Sequence, residues 1–155
     1  MTAPTAAPSA KNTAPATSGQ LATFRLDGDL YGIEVEHVQE VLRSQQLTRV
    51  PLAPSAVAGL INLRGQVVTA IELRERLGRP PRPAGTDPVV IVVRLHGEAV
   101  SMLVDSIADV VDVDANDFEA PPDTLEGQGR DLIRGAYKLR GQLLLALDVQ
   151  KAVSA

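Results

Sequence analysis

A mainly β protein made of two repeated lobes is the fold class that this sequence predicts. Three observations carry the expectation. Apolar residues come in short, β-branched runs bounded by glycine turns, helical spacing is brief wherever it occurs, and the second half of the chain repeats the first. Strands spaced this regularly suggest small barrels rather than a βαβ sheet.

Residues 1–19 are almost entirely Ala, Pro, Thr and Ser, with Lys11 as the only charge. Such a stretch buries too little apolar surface to offset its ordering entropy, so a disordered tail is predicted over 1–19 and an ordered region over 20–155. Residues 21–26 and 31–35 read as strands turned at Asp27-Gly28-Asp29. Val38, Val41 and Leu42 then fall at i, i+3, i+4, which predicts a short helical segment with Val41 and Leu42 turned inward. Pro51 and Pro54 bracket a loop. Residues 59–63 and 67–71 form a second hairpin around Arg64-Gly65-Gln66, with a short helix over 74–77.

The stretch GRPPRPAGTDP at 78–88 interrupts the pattern, because its prolines cannot continue a helix or donate to a ladder. Residues 89–95 and 99–104 form a third hairpin at His96-Gly97-Glu98, and Ile107, Val110 and Val111 repeat the helical spacing. A further break covers 119–130. Residues 133–139 and 143–147 form the last hairpin at Arg140-Gly141-Gln142, with a short helix over 149–153.

The repeat is the strongest feature. A shift of 69 residues lays FRLDGDLYGIEVEHVQEVL over VRLHGEAVSMLVDSIADVV, and a shift of 76 lays GLINLRGQVVTAIEL over GAYKLRGQLLLALDV. Two lobes of one type are expected, one per repeat, each about 65 residues and each with two hairpins, near the lower size for a stable core. Gly65 and Gly141 stand at matching turns, where glycine tolerates positive φ without a Cβ clash. A groove between packed lobes is a natural place for a partner.

Composition removes other functions. The chain has no cysteine, so disulfides, thiolate nucleophiles and Cys-based metal sites are excluded. A net charge of −4 argues against binding a phosphate backbone, and four aromatic rings are too few for a base-stacking platform. His37 and His96 lack an HExxH-type partner and read as exposed residues. Asp112, Asp114 and Asn116 begin like a calcium loop, but Asp117 stands where glycine is required and Asp123 where a bidentate Glu is required. Gly127-Gln128-Gly129 precedes a strand, and Leu132 replaces the third glycine of a dinucleotide motif. No nucleophile–base constellation supports an enzyme, and no metal or cofactor is expected. No run approaches the ~20 apolar residues of a membrane span. With no apolar signal core at the N-terminus, a cytoplasmic location is expected.

VEHVQEVL, VAGLINLRGQVV and IRGAYKLRGQLLLALDVQKAV together resemble the CheW-type coupling proteins of bacterial chemosensory systems, over roughly residues 20–153. The resemblance implies two SH3-like five-stranded β-barrel subdomains with short helices. It implies a noncatalytic adaptor that holds a chemoreceptor's cytoplasmic hairpin tip, seated between the lobes, and the regulatory domain of a CheA-like histidine kinase. Membrane association would come only through receptor arrays, and array or ring assembly is compatible with it. Service in a pilus, gliding or developmental pathway, or a capping or competing role in such arrays, stays open. Thr69 and Glu72 depart from the family's usual proline and aspartate.

The resemblance assigns receptor contact to Val38, Glu40 and Arg64. From the residues alone Val38 reads as core packing, and the two readings can hold together. Arg64 reads either as a plain hairpin residue with Arg140 as its twin, or as a fork that donates to a carboxylate or carbonyl on a receptor helix. Gln39, Arg43, Val50 and Gly59, beside Pro51, are candidates for a kinase-facing surface or groove rim. A side chain at Gly59 would either block a partner's approach or strain the fold.

Overall fold

The computed structural model describes residues 18–43, 45–122 and 128–154. The tail expected over 1–19 therefore lies almost wholly outside the described residues, as do Asp123 and Gly127.

In chain order the elements are β1 (Gly19–Leu26), β2 (Asp29–Glu34), a 3₁₀ turn (Val35–His37), β3 (Val38–Leu42), β4 (Val57–Leu63), β5 (Gln66–Glu72) and α1 (Leu73–Arg76). There follow β6 (Val89–Leu95), β7 (Glu98–Val104), β8 (Ser106–Val113), a 3₁₀ turn (Ala115–Asp117), β9 (Phe118–Glu119), α2 (Gln128–Leu132), β10 (Ile133–Leu139), β11 (Gln142–Leu147) and α3 (Val149–Val153). The four expected hairpins are all present. Three of them turn through a left-handed residue followed by glycine: Asp27 and Gly28 at φ 50° and 88°, Arg64 and Gly65 at 51° and 86°, His96 and Gly97 at 51° and 83°. These φ signs suit the two-residue turns that match strand twist. In the fourth turn Gly141 alone is left-handed, at 81°.

The helical segments expected around Val38–Leu42 and Ile107–Val111 are strands instead. β3 pairs with β6, with a register shift between Val38 and Glu40, and β8 pairs with β1 with a shift at the matching place. One extra residue in each strand moves the alternation by one position, which imitates i, i+3, i+4 spacing over so short a run. Val41 is consequently not a core residue: it is 43% exposed, and its counterpart Val110 is 53% exposed. Leu42 does pack inward.

One sheet has the order β8-β1-β2-β11-β10-β9, the other β3-β6-β7-β5-β4. Each therefore takes strands from both repeats, which corrects the expectation of one lobe per repeat. The halves exchange hairpins and meet in parallel pairs, β2 with β11 and β5 with β7. The three residues between β2 and β3 carry the chain straight into the other sheet. The chain beyond each edge strand then reaches the opposite edge. Thr48, after β3, bridges Leu60 on β4, and β9, after β8, pairs with β10. That is the closure expected of two SH3-like barrels.

Three apolar cores result. Leu21, Leu30, Tyr137, Leu144 and Ala146 fill one lobe, and Ile61, Val68, Ala70, Val90 and Val92 fill the other. A third core, with Phe24, Ile33, Ile91, Val93, Met102 and Leu147, lies between the two sheets. β6 explains its own sequence: Val90 and Val92 face one core, Ile91 and Val93 the other, so the strand is apolar on both faces. Each such side chain contributes about 1.5–3 kcal/mol by burial. The polar exceptions are satisfied. Thr23 Oγ1 donates to the Asp109 carbonyl, and Ser101 Oγ donates to that of Thr69 at 3.0 Å.

Candidate interaction site

Arg64 and Glu40 come from different elements and meet face to face. The Arg64 Nη1 and Nη2 atoms donate to Glu40 Oε2 and Oε1 at 2.9 and 2.6 Å, a parallel two-bond pair. Local structure places the arginine. The Asn62 side-chain oxygen accepts from the Gly65 N–H at 2.9 Å, closing the turn that holds Arg64 left-handed. Lys138 stands at the Asn62 position in the other repeat and cannot accept such a bond, and Arg140 is not left-handed there. The two arginines are thus not structural twins. The bonds from Arg64 hold the Glu40 carboxyl below the usual carboxylate range, and the same pairing raises Arg64.

Val38 shares this strand, half-buried against the inter-sheet core, so the packing and contact readings are compatible. Gln39 is exposed and its side-chain oxygen accepts from Arg94 Nε at 2.8 Å. Arg43 and Val50 are exposed, as is Leu52 in the loop beyond them. Gly59 is not on a rim. It is buried, and a Cβ there would meet the Thr48 carbonyl oxygen at 2.6 Å. Gly135, its counterpart, lies equally tight under Phe118 and Glu119. Both glycines let a crossing segment close its barrel, so the requirement at Gly59 is internal.

A cleft of about 410 Å³ opens between the lobes, lined in part by Glu34, His37, Arg94, Arg134, Asp148 and Gln150. Val38, Glu40 and Arg64 do not line it. The two histidines converge there, with His37 Nε2 3.7 Å from Glu34, which also accepts from Arg134 at 2.6 Å. Among the described residues no group of histidines and carboxylates is arranged to hold a metal ion, and no helix is long and apolar enough to cross a membrane.

Sequence reasoning missed a second charged cluster. Arg74 is buried and donates through Nε and Nη2 to both Asp105 oxygens at 2.9 and 2.6 Å, and through Nη1 to the carbonyls of Pro80 and Pro81. Arg82 forks onto Glu72 and reaches Asp105, while Arg79 pairs with Asp29 and Asp27 and donates to the Tyr31 hydroxyl at 2.8 Å. Burial pushes the Asp105 carboxyl up, but the bonds from Arg74, the Asp27 N–H and nearby Arg82 outweigh it and leave it below its usual value. Burial pushes the Tyr31 hydroxyl up against the opposing pull of Arg79. The available signal was an arginine on each side of the prolines in RPPR, facing a chain rich in turn aspartates.

Two interlocked SH3-like barrels with exposed aliphatic and ion-paired faces define a double-barrel β module. The CheW-like domain model matches residues 20–155, and the chain belongs to that family. It is 30% identical over 140 residues to the chemotaxis protein CheW of Treponema pallidum, spanning 88% of this chain and 82% of that one. It is 30% identical over 132 residues to the chemotaxis protein CheW of Bacillus subtilis, spanning 85% of each. The crystal structure of the scaffolding protein TtCheW from Thermoanaerobacter tengcongensis superposes with a TM-score of 0.78 at 26% identity, covering 90% of this chain and 94% of that one.

Proposed function

We propose that this chain is a noncatalytic adaptor that couples the cytoplasmic hairpin tip of chemoreceptors to the regulatory domain of a CheA-type histidine kinase, in the cytoplasm at receptor arrays. The observation that carries this reading is the Arg64–Glu40 pair, held on the surface by a turn built for it. Arginine has five donors in a fixed fork, and Glu40 uses two of them, so the rest can meet a carbonyl or carboxylate on a docked helix. The exposed half of Val38 supplies apolar contact beside it. Gln39, Arg43 and Val50 form the kinase-facing side, with exposed Val41 and Leu52 as aliphatic anchors. Gly59 acts from inside, by seating the segment that carries this side. Holding both partners in one assembly turns their encounter into an intramolecular one, so modest affinities suffice.

The test is binding of the full chain to an immobilised receptor hairpin fragment and to an immobilised kinase regulatory domain. Wild type should bind both at once. Arg64→Glu should lose about tenfold or more in receptor affinity while kinase binding holds. A folded chain that binds neither partner overturns the reading.

A further inference from the structure

The internal repeat allows the two ends of the molecule to be compared position by position. A shift of 69 carries Asp27, Asp29, Tyr31 and Glu36 onto His96, Glu98, Val100 and Asp105, and a shift of 76 carries Glu72 and Arg74 onto Asp148 and Gln150. At the first end, the chain's own Arg79-Pro80-Pro81-Arg82 lies against Asp27, Asp29, Tyr31, Glu72, Arg74 and Asp105, through the bonds given above. At the second end none of the described residues packs against the matching positions as Arg79–Arg82 does at the first. The matching positions His96, Asp148 and Gln150 line the 410 Å³ cleft, and His96, Glu98, Val100 and Gln150 continue into an adjoining cleft of 470 Å³.

The likeness between the two ends extends to charge. Carboxylates remain at three of the four places that hold Arg79 and Arg82 at the filled end: Glu98 for Asp29, Asp148 for Glu72 and Glu36 for Asp105. Glu36 and Glu98 are exposed and Asp148 is half-buried. The short helix α3 begins with Asp148 as its cap, as α1 begins with Glu72, so the frame of the site is retained. The arginine that clamps the proline carbonyls is the element replaced, by Gln150, whose amide also donates to carbonyls.

We infer that the cleft at His96, Glu98, Asp148 and Gln150 is a docking site for an extended arginine–proline segment of a partner protein, bound as the chain binds its own Arg79–Arg82 at the related end. A segment with proline is already extended, so it gives up little entropy on binding, and its arginines can form charge-assisted pairs with Asp148 and Glu98, which line the two clefts. This site is separate from the Arg64–Glu40 face and does not depend on the coupling role proposed above.

The experiment uses the full chain and a capped synthetic peptide GRPPRPAG, titrated to about 1 mM, a range that reads weak peptide affinities, with backbone amide shifts followed by NMR. Saturable shifts confined to residues 95–100 and 148–154 are expected. Glu98→Lys and Asp148→Lys, each checked for a native amide spectrum, should each weaken binding about tenfold, the loss of one charge-assisted pair. His96→Asp with Val100→Tyr restores the filled end's acceptors and should tighten it. Arg64→Glu should leave it unchanged, which separates this result from the receptor test. Absence of shifts, or shifts at Asp27–Tyr31 showing that the peptide only displaces the chain's own segment, would overturn the inference.

Discussion

The chain passes between its two sheets twice, and the two passages are built differently. The one from β7 to β8 runs through Asp105, gripped by Arg74, Arg82 and the Asp27 N–H. The one from β2 to β3 runs through Glu36, which is exposed, and beside it lies the open inter-lobe cleft. The repeat kept the backbone path, the turn glycines and the helix caps at both ends. It did not keep the clamping arginine: Gln150 stands where the first end has Arg74. One end is a closed internal clamp, and at the other the matching positions line open clefts.

The comparison can be broken most severely at the strand both ends depend on. Ile91 is fully buried in the core between the sheets. Ile91→Ala should cost about 2–5 kcal/mol in chemical denaturation. Because that core joins both sheets, fluorescence of tryptophans introduced into each lobe should still report one common transition. Two separated transitions would mean that the lobes are independent.

Gly135→Ala should cost about 1–3 kcal/mol, since Phe118 and Glu119 must shift to admit the methyl group. Thermal melting checks this, and native stability would show that the barrel closure is loose there.

Arg74→Met addresses the clamp itself and should cost about 1–2 kcal/mol, discounted because water still reaches Asp105. Amide hydrogen exchange should rise at Arg79, Arg82 and Asp105 and stay unchanged around the β2–β3 passage. The pH dependence follows from the carboxyl's direction. Asp105 lies below its usual value in the folded chain, so its stabilisation is complete above the unfolded-state value of about 4 and is lost as pH falls through the lower folded one. Acid titration of stability should therefore be shallower in Arg74→Met than in wild type. Equal slopes would remove Asp105 from the account. The smallest effect is expected at Val41→Asp, within about 0.5 kcal/mol of wild type, because that side chain faces solvent.

Much of the fold was legible because local chemistry decided it. Each Xaa-Gly turn marked a hairpin, and apolar runs between turns marked strands. What local patterns could not show was exchange. Whether β1 and β2 lie beside β4 and β5 or beside β10 and β11 depends on long-range pairing, and both arrangements satisfy the same repeat. The bulges in β3 and β8 hid two strands behind helical spacing, which also placed Val41 on the wrong side. At the candidate site, Arg64 was visible from NLRG, but its partner Glu40 stands 24 residues away and its support, Asn62, gave no signal beyond the turn. The Arg74–Asp105 clamp was invisible because Arg74 lies in a short helix and Asp105 stands 31 residues on, between two other elements.

The central claim is that this module joins two proteins through separate faces. Its most direct measurement is histidine-kinase autophosphorylation with a receptor hairpin fragment, with and without the full chain. The fragment should change kinase activity only when the chain is present, and Arg64→Glu should abolish that dependence while still binding the kinase regulatory domain. Receptor control of the kinase that is the same without the chain, or undiminished with Arg64→Glu, would contradict it.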